Sequence, residues 1–216
     1  MANNIKFGDI DIQIPSFEFK KYGGIIIVIA TAIILFFSIY TVDANENGVV
    51  LRLGKYSHTT HPGLQFKIPF IDMVYLVKVD KQFKREFGFR TLKAGVQTQY
   101  SSRNYNKESW MLTGDLNIAD VRWIIQYKIK NAADYLFQVR DVENTIRDVS
   151  ESTLRLIIGD RSFTEVLQTD RVAIANKARS HLQHILDNYQ SGIAIKMVQL
   201  QSVLPPGPVA DSYNEV

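Results

Sequence analysis

The sequence has no cysteine among its 216 residues. That absence removes disulfides, thiolate nucleophiles and cysteine-ligated zinc. It suits an oxidising compartment without identifying one. Walker A, G-x-S-x-G, H-E-x-x-H and G-x-G-x-x-G patterns are all missing. Phosphate cradles, hydrolase elbows, zincin centres and dinucleotide crevices therefore have no signal here. Charge of one sign is also scarce: 25 Lys and Arg against 22 Asp and Glu leave a net charge of +3, spread along the chain. With no basic cluster to neutralise a run of phosphates, nucleic acid is not expected as a partner.

What the sequence does hold is one long apolar run. The mean hydropathy of −0.08 conceals it by averaging it with a polar remainder. Gly23 and Gly24 open the run, and Ile25, Ile26, Ile27, Val28 and Ile29 form a β-branched block. Ala30, Thr31 and Ala32 make a small-residue middle, and Ile33, Ile34, Leu35, Phe36, Phe37, Ser38, Ile39 and Tyr40 close it. At 1.5 Å per residue it reaches about 27 Å, close to the hydrocarbon thickness of a bilayer. Lys20 and Lys21 precede it, and Tyr22 and Tyr40 stand where interfacial aromatics belong. In lipid the backbone must satisfy itself, so a helix is expected despite the β-branched block. A buried core element is the first alternative, but it would normally carry a charge within such a length. A cleaved signal peptide is the second, since Val42-Asp43-Ala44 is a small-x-small site. The length of the run and of the segment before it favours an uncleaved signal anchor over residues 22–42, after a tail over 1–21. Lys6, Lys20 and Lys21 before the run outnumber Arg52 and Lys55 after it, which places the tail in the cytoplasm by the positive-inside rule.

After the anchor the pattern changes to strands and then helices. Gly48–Lys55, Leu64–Phe70, Met73–Asp80 and Val121–Ile129 read as strands, the last alternating Val121, Trp123, Ile125, Tyr127 and Ile129 against polar residues. His61-Pro62-Gly63 is a turn signal. Val142–Ile158 carries a helical apolar stripe, and Ser162 to Glu165 matches a capping box. A second helix over Asp170–Tyr189 is expected to bury Ala175, Ala178, Leu182, Ile185, Leu186 and Tyr189. Ile193–Val203 returns to strand before Pro205-Pro206, with a new helix beginning in 204–216. This succession indicates an α+β class.

Two groups of residues are candidates for function beyond the anchor. His181 and His184, with Asp187, are spaced to share one helix face and a metal; exposed or boundary histidines are the stronger reading. His58 and His61 bracket the turn near the membrane. Phe66, Ile68, Pro69, Phe70 and Ile71 crowd a short segment after the anchor. They are either an ordinary core strand or a second membrane contact whose tip is Pro69-Phe70-Ile71. No catalytic residue, cofactor or metal is assigned. A Ser/Lys membrane hydrolase is a remote alternative, because such partners meet only in space.

The stretches ENGVVLRLGKYSHTTHPGLQFKIPFID (Glu46 to Asp72), Met111–Ile129, Tyr135–Ser162 and Val198–Val216 resemble the SPFH family, also called Band 7 or prohibitin-homology. Within it they are similar to the branch that modulates the membrane AAA+ protease FtsH. The resemblance implies a non-enzymatic scaffold with two small α+β subdomains, over 43–80 and 81–203. It implies homo- or hetero-oligomers, with an HflC-like SPFH partner, in a cage that controls the access of substrates to an FtsH-type protease. It further implies contact of the first subdomain with membrane lipid, in the bacterial inner membrane with the large domain periplasmic. Such chains continue past Pro205-Pro206 into a long helix, so 204–216 is expected to be its truncated start. A stomatin-like organiser of lipid domains without a protease is the alternative.

Overall fold

The computed structural model describes residues 5–7, 10–12, 19–93 and 98–206. The helix expected to begin within 204–216 lies outside them from residue 207 onward. A short hairpin of β1 (Ile5–Phe7) and β2 (Ile10–Ile12) precedes α1 (Phe19–Ser38). Five strands follow: β3 (Ile39–Val42), β4 (Glu46–Arg52), β5 (Lys55–Thr60), β6 (Gly63–Phe66) and β7 (Asp72–Lys78). Next come β8 (Phe83–Phe87), β9 (Thr91–Lys93), β10 (Gln99–Tyr100), α2 (Asn106–Ser109), β11 (Trp110–Leu112) and β12 (Ile118–Ile129). The described chain ends with α3 (Ala132–Phe137), α4 (Val142–Gly159), a π-helical turn (Glu165–Thr169), α5 (Arg171–Asn188) and β13 (Ile193–Leu204).

The first five strands build two small sheets. β4 lies between β5 and β7, antiparallel to both, and β3 pairs antiparallel with β6. Leu53 and Gly54 join β4 to β5 with φ of 51° and 81°, the double positive φ that a two-residue hairpin turn requires. The expected strand Gly48–Lys55 is thus interrupted, and His58 lies inside β5 opposite Val50. Only His61 stands at the turn into β6.

The larger sheet is built around β12. Its antiparallel partner on one side is β13, and on the other side β8 and β11 divide its length. A central strand covered on both faces buries more than an alternating one, and Ile124 is buried alongside Val121, Trp123, Ile125, Tyr127 and Ile129. The rings of Phe87 and Trp123 stack at 4.6 Å between centroids. α4 is capped by Asp141, which accepts from the Asn144 N–H (3.1 Å). Its buried stripe is Val142, Ile146, Val149, Ser150, Thr153, Leu154, Ile157 and Ile158. α5 buries Ile174, Ala178, Leu182 and Leu186, spaced by four so that they form one row along the helix. Ile174 was absent from the expected set, and Tyr189, expected inside, is exposed. The chain leaves α5 there, with Tyr189 as its C-cap. The Ser162–Glu165 capping box forms, with Glu165 accepting from the Ser162 N–H (2.8 Å).

α1 differs at its end from the expected span. The helix stops at Ser38, and Ile39 and Tyr40 are extended in β3, opposite Phe66 and Gln65. β-Branched Ile39, Thr41 and Val42 fit a paired strand better than a further helical turn. Tyr22 to Ser38 is about 25 Å of helix. Among the described residues no helix is long and apolar enough to cross a membrane.

Candidate functional site

From Gly23 to Ser38, α1 is apolar on every side, and its large side chains are exposed on every side. A helix in water shows an apolar stripe and a polar face; this one has no polar face and no partner among the described residues. It feeds directly into β3, so the β3–β6 pair sits at its C-terminal end. Between β6 and β7 the chain makes a tip over Lys67 to Ile71. The Lys67 N–H donates to the Ser38 carbonyl (2.8 Å), tying the tip to the last residue of the helix. Phe37, Lys67, Pro69 and Phe70 line one cleft of about 200 Å³ between them.

The tip is held in shape by Asp72. Its carboxylate takes a two-point contact from Arg52, Nε to Oδ1 at 2.9 Å and Nη2 to Oδ2 at 3.1 Å. It also accepts from the Ile68 N–H (2.9 Å). The Arg52 hydrogen bond, and after it the Ile68 N–H, hold the Asp72 carboxyl down at about 2. The Asp72 N–H in turn donates to the Ile68 carbonyl (2.9 Å), and the Leu53 N–H to the Ile71 carbonyl (3.1 Å). Phe70 is thereby fixed at φ 65°, a left-handed conformation costly for an aromatic residue, with its side chain 99% exposed.

The five residues Phe66, Ile68, Pro69, Phe70 and Ile71 are therefore gathered at one end of the small sheets, beside the end of α1. The expectation of a core strand over Leu64–Phe70 is corrected. β6 stops at Phe66, and Leu64 and Phe66 face outward at 60% and 67% exposure. The alternation was legible; which side faced the core was not, because the strand pairs only with β3 at the rim. Leu53, 82% exposed at the neighbouring hairpin turn, was missed. A lone leucine beside Gly54 gives no signal of its own.

The histidine candidates do not converge. His181 and His184 are exposed on α5, and His184 sits 3.3 Å from Asn188 Nδ2. Asp187 bonds instead to Gln183 and Lys130. Among the described residues no group of three metal-ligating side chains is assembled. A second polar cluster that spacing did not indicate joins β8, α2 and α4. Glu108 accepts from Arg90 (2.7 Å), Arg147 (3.0 Å) and the Gly88 N–H (3.1 Å). All of its acceptor capacity is used internally, which makes it a brace.

The model of the SPFH domain / Band 7 family matches residues 40–216. The chain is 40% identical over 196 residues to Protein HflK of Treponema pallidum, covering 90% of this chain and 59% of that protein. It is 36% identical over 201 residues to Protein HflK of Borreliella burgdorferi, covering 91% and 64%. It is 29% identical over 199 residues to the Modulator of FtsH protease HflK of Escherichia coli, covering 90% and 43%. The chain thus spans about three fifths of the length of the first two relatives and under half of the third. With a mixed α+β fold and a family match across most of its length, the chain belongs to the SPFH / Band 7 family.

Proposed function

We propose that this chain is a membrane-anchored scaffold subunit, not an enzyme, that regulates an FtsH-type membrane protease. The regulatory role follows the relatives, which are named HflK and, in one case, modulator of FtsH protease. The membrane seating rests on one observation, the hydrogen bond that ties the tip to the end of α1. With Tyr22 to Ser38 supplying about 25 Å and extended Ile39 and Tyr40 about 6 Å more, the apolar run matches a bilayer core of about 30 Å. The backbone of this stretch is paired antiparallel with β6, which satisfies part of its polar groups at that depth. Phe66, opposite Ile39, and Phe70, on the tip bonded to Ser38, then lie level with the last residues of the apolar run as a second membrane contact, with Leu53 beside them.

On this reading residues 1–21 are a cytoplasmic tail, 43–80 a membrane-proximal subdomain and 81–203 a second subdomain, both periplasmic. Lys6, Lys20 and Lys21 on the near side of the anchor support that orientation. Subunits assemble with one another or with an HflC-like SPFH chain and limit the access of substrates to the protease.

Depth measurement tests the seating. The chain has no cysteine, so Phe70→Cys carries a single spin label in lipid nanodiscs. The label at 70 is expected to be accessible to oxygen and shielded from an aqueous nickel chelate, unlike one at exposed Val172 on α5. A label at 70 as open to nickel as that at 172 sinks the second contact. Copurification from mild detergent tests the role: recovery of ordered rings without any FtsH-type protease contradicts it.

A further inference from the structure

A regular strand sends successive side chains to opposite faces, yet Gln201 and Ser202 of β13 line one cleft together. The cause is a β-bulge. Ser202 lies opposite Arg122 and Leu200 opposite Trp123, so Gln201 is the extra residue, with no partner in β12. Bulges re-aim side chains in this way, and they are over-represented next to active sites. The cleft has a volume of about 350 Å³ and is also lined by Arg122. On β12 that residue points to the face opposite buried Val121 and Trp123, away from the core that α4 and α5 cover.

Charge in the cleft is of one sign. Among the described residues no Asp or Glu lines it, while Arg103 and Arg122 do. Arg122 gives Nη2 to Asp120 (3.0 Å), and its Nε is buried with no partner, so this guanidinium gains from any acceptor it can turn to. Arg103 is exposed and donates only its backbone N–H, to Ser101 Oγ (3.3 Å). Its guanidinium has no partner among the described residues. Arg90 close by is neutralised by Glu108. One uncompensated positive charge remains, which a monoanion balances and a dianion exceeds. The planar fork of Arg103 matches the two oxygens of a carboxylate. Beside it stand aromatic rings held in place. Tyr100 is exposed and meets Phe89 edge-on at 5.8 Å. Tyr105 lies under Arg90 (4.7 Å) and donates its hydroxyl to Ser101 Oγ (3.3 Å). Fixed rings bind a flat group at little cost in entropy. The side-chain amides of Asn106 and Gln201 add both donors and acceptors to the lining.

We propose that this cleft binds a carboxylate monoanion carried beside a flat apolar group, with Arg103 taking the carboxylate and Tyr100 the flat group. Two sources share that chemistry: the C-terminal end of a polypeptide whose last residue is aromatic, and a free aromatic acid. Binding there belongs to the larger sheet and does not depend on the membrane seating of α1 and the tip.

Fluorine NMR tests the site on the full chain in lipid nanodiscs. The probe is N-acetyl-alanyl-para-fluorophenylalanine, compared with its C-terminal amide, which lacks the charge. The fluorine line of the acid is expected to broaden saturably with the native chain and not with empty nanodiscs. The amide is expected to bind at least tenfold more weakly. Arg103→Gln removes no side-chain contact within the described chain, so it is expected to weaken the acid at least tenfold at an unchanged melting temperature. Tyr100→Leu repeats the test should that variant fail to fold, with an expected loss of at least threefold. Equal binding of acid and amide, undiminished binding by both variants, or no broadening beyond that of empty nanodiscs overturns the site. para-Fluorophenylacetate then separates the sources. Binding at least threefold weaker than that of the dipeptide assigns the cleft to chain ends, and tighter binding than that assigns it to free acids; both uphold the carboxylate site.

Discussion

Asp72 shows how one residue serves both shape and position. It joins β4 to the tip through Arg52, and it orders the backbone of Ile68, so that Phe70 projects outward rather than folding back. Because its folded-state carboxyl titrates at about 2, below the ordinary value of about 3.9, its contribution is complete above about pH 4. That contribution is lost as pH falls through about 2. The melting temperature of the native chain minus that of Asp72→Asn is therefore expected to be positive at pH 5 and to shrink steadily towards pH 2. A difference that stays constant over that range would assign the effect to packing instead of charge. Neither the pairing nor its consequence was legible in the sequence, where Arg52 counted only towards the charge balance across the anchor and Asp72 carried no signal of its own. They meet because the Leu53-Gly54 turn and the tip close on each other at the same end of the sheet.

At the scale of elements, the helices were the most readable. The stripe from Val142 to Ile158 and the Ser162–Glu165 box appear as expected, because 3.6-residue periodicity and local capping depend on near neighbours. The change from helix over Asp170–Tyr189 to strand over Ile193–Val203 was legible, but the tightness of the junction between α5 and β13 was not. Gly192 has φ +68°, and a Cβ placed there would come within 2.4 Å of the Asn131 carbonyl oxygen and 2.7 Å of the Tyr135 nitrogen. Its own carbonyl accepts from the N–H groups of Lys130 and Asn131. Backbone cannot move aside as a flexible side chain can, and the added strain of φ alone is about 1–3 kcal/mol. Gly192→Ala is expected to destabilise the chain by at least about 2 kcal/mol, measured by urea unfolding. A loss below about 0.5 kcal/mol would mean that the junction relaxes freely.

The whole molecule couples its two sheet regions. Val49 of β4 and Val77 of β7 belong to the same buried cluster as Trp123, Ile146 and Leu182 of the larger sheet and its helices. Tyr56 of β5 also meets Phe137 of α3, ring to ring at 6.5 Å. A shared core predicts shared unfolding. Val49→Ala, which removes two buried methyl groups' worth of volume, is expected to cost about 2 kcal/mol and to lower one common calorimetric transition. If strands β3 to β7 melt alone and the Trp123 signal is unmoved, the two regions are independent instead.

By itself the sequence determined what depends on composition and on close neighbours. It showed the apolar run beginning at Gly23, the absence of cysteine chemistry, the α+β succession and the family likeness carried by residues 46–72 and the later blocks. The tertiary structure decided what depends on residues far apart in the chain. It ended α1 at Ser38 because β3 had a partner in β6, and it turned Leu64 and Phe66 outward because that pair lies at the rim. It set Phe70 beside Phe37 through the bond from Lys67 to Ser38. Periodicity shows that one face of a strand differs from the other, and only the arrangement of its neighbours shows which face meets protein.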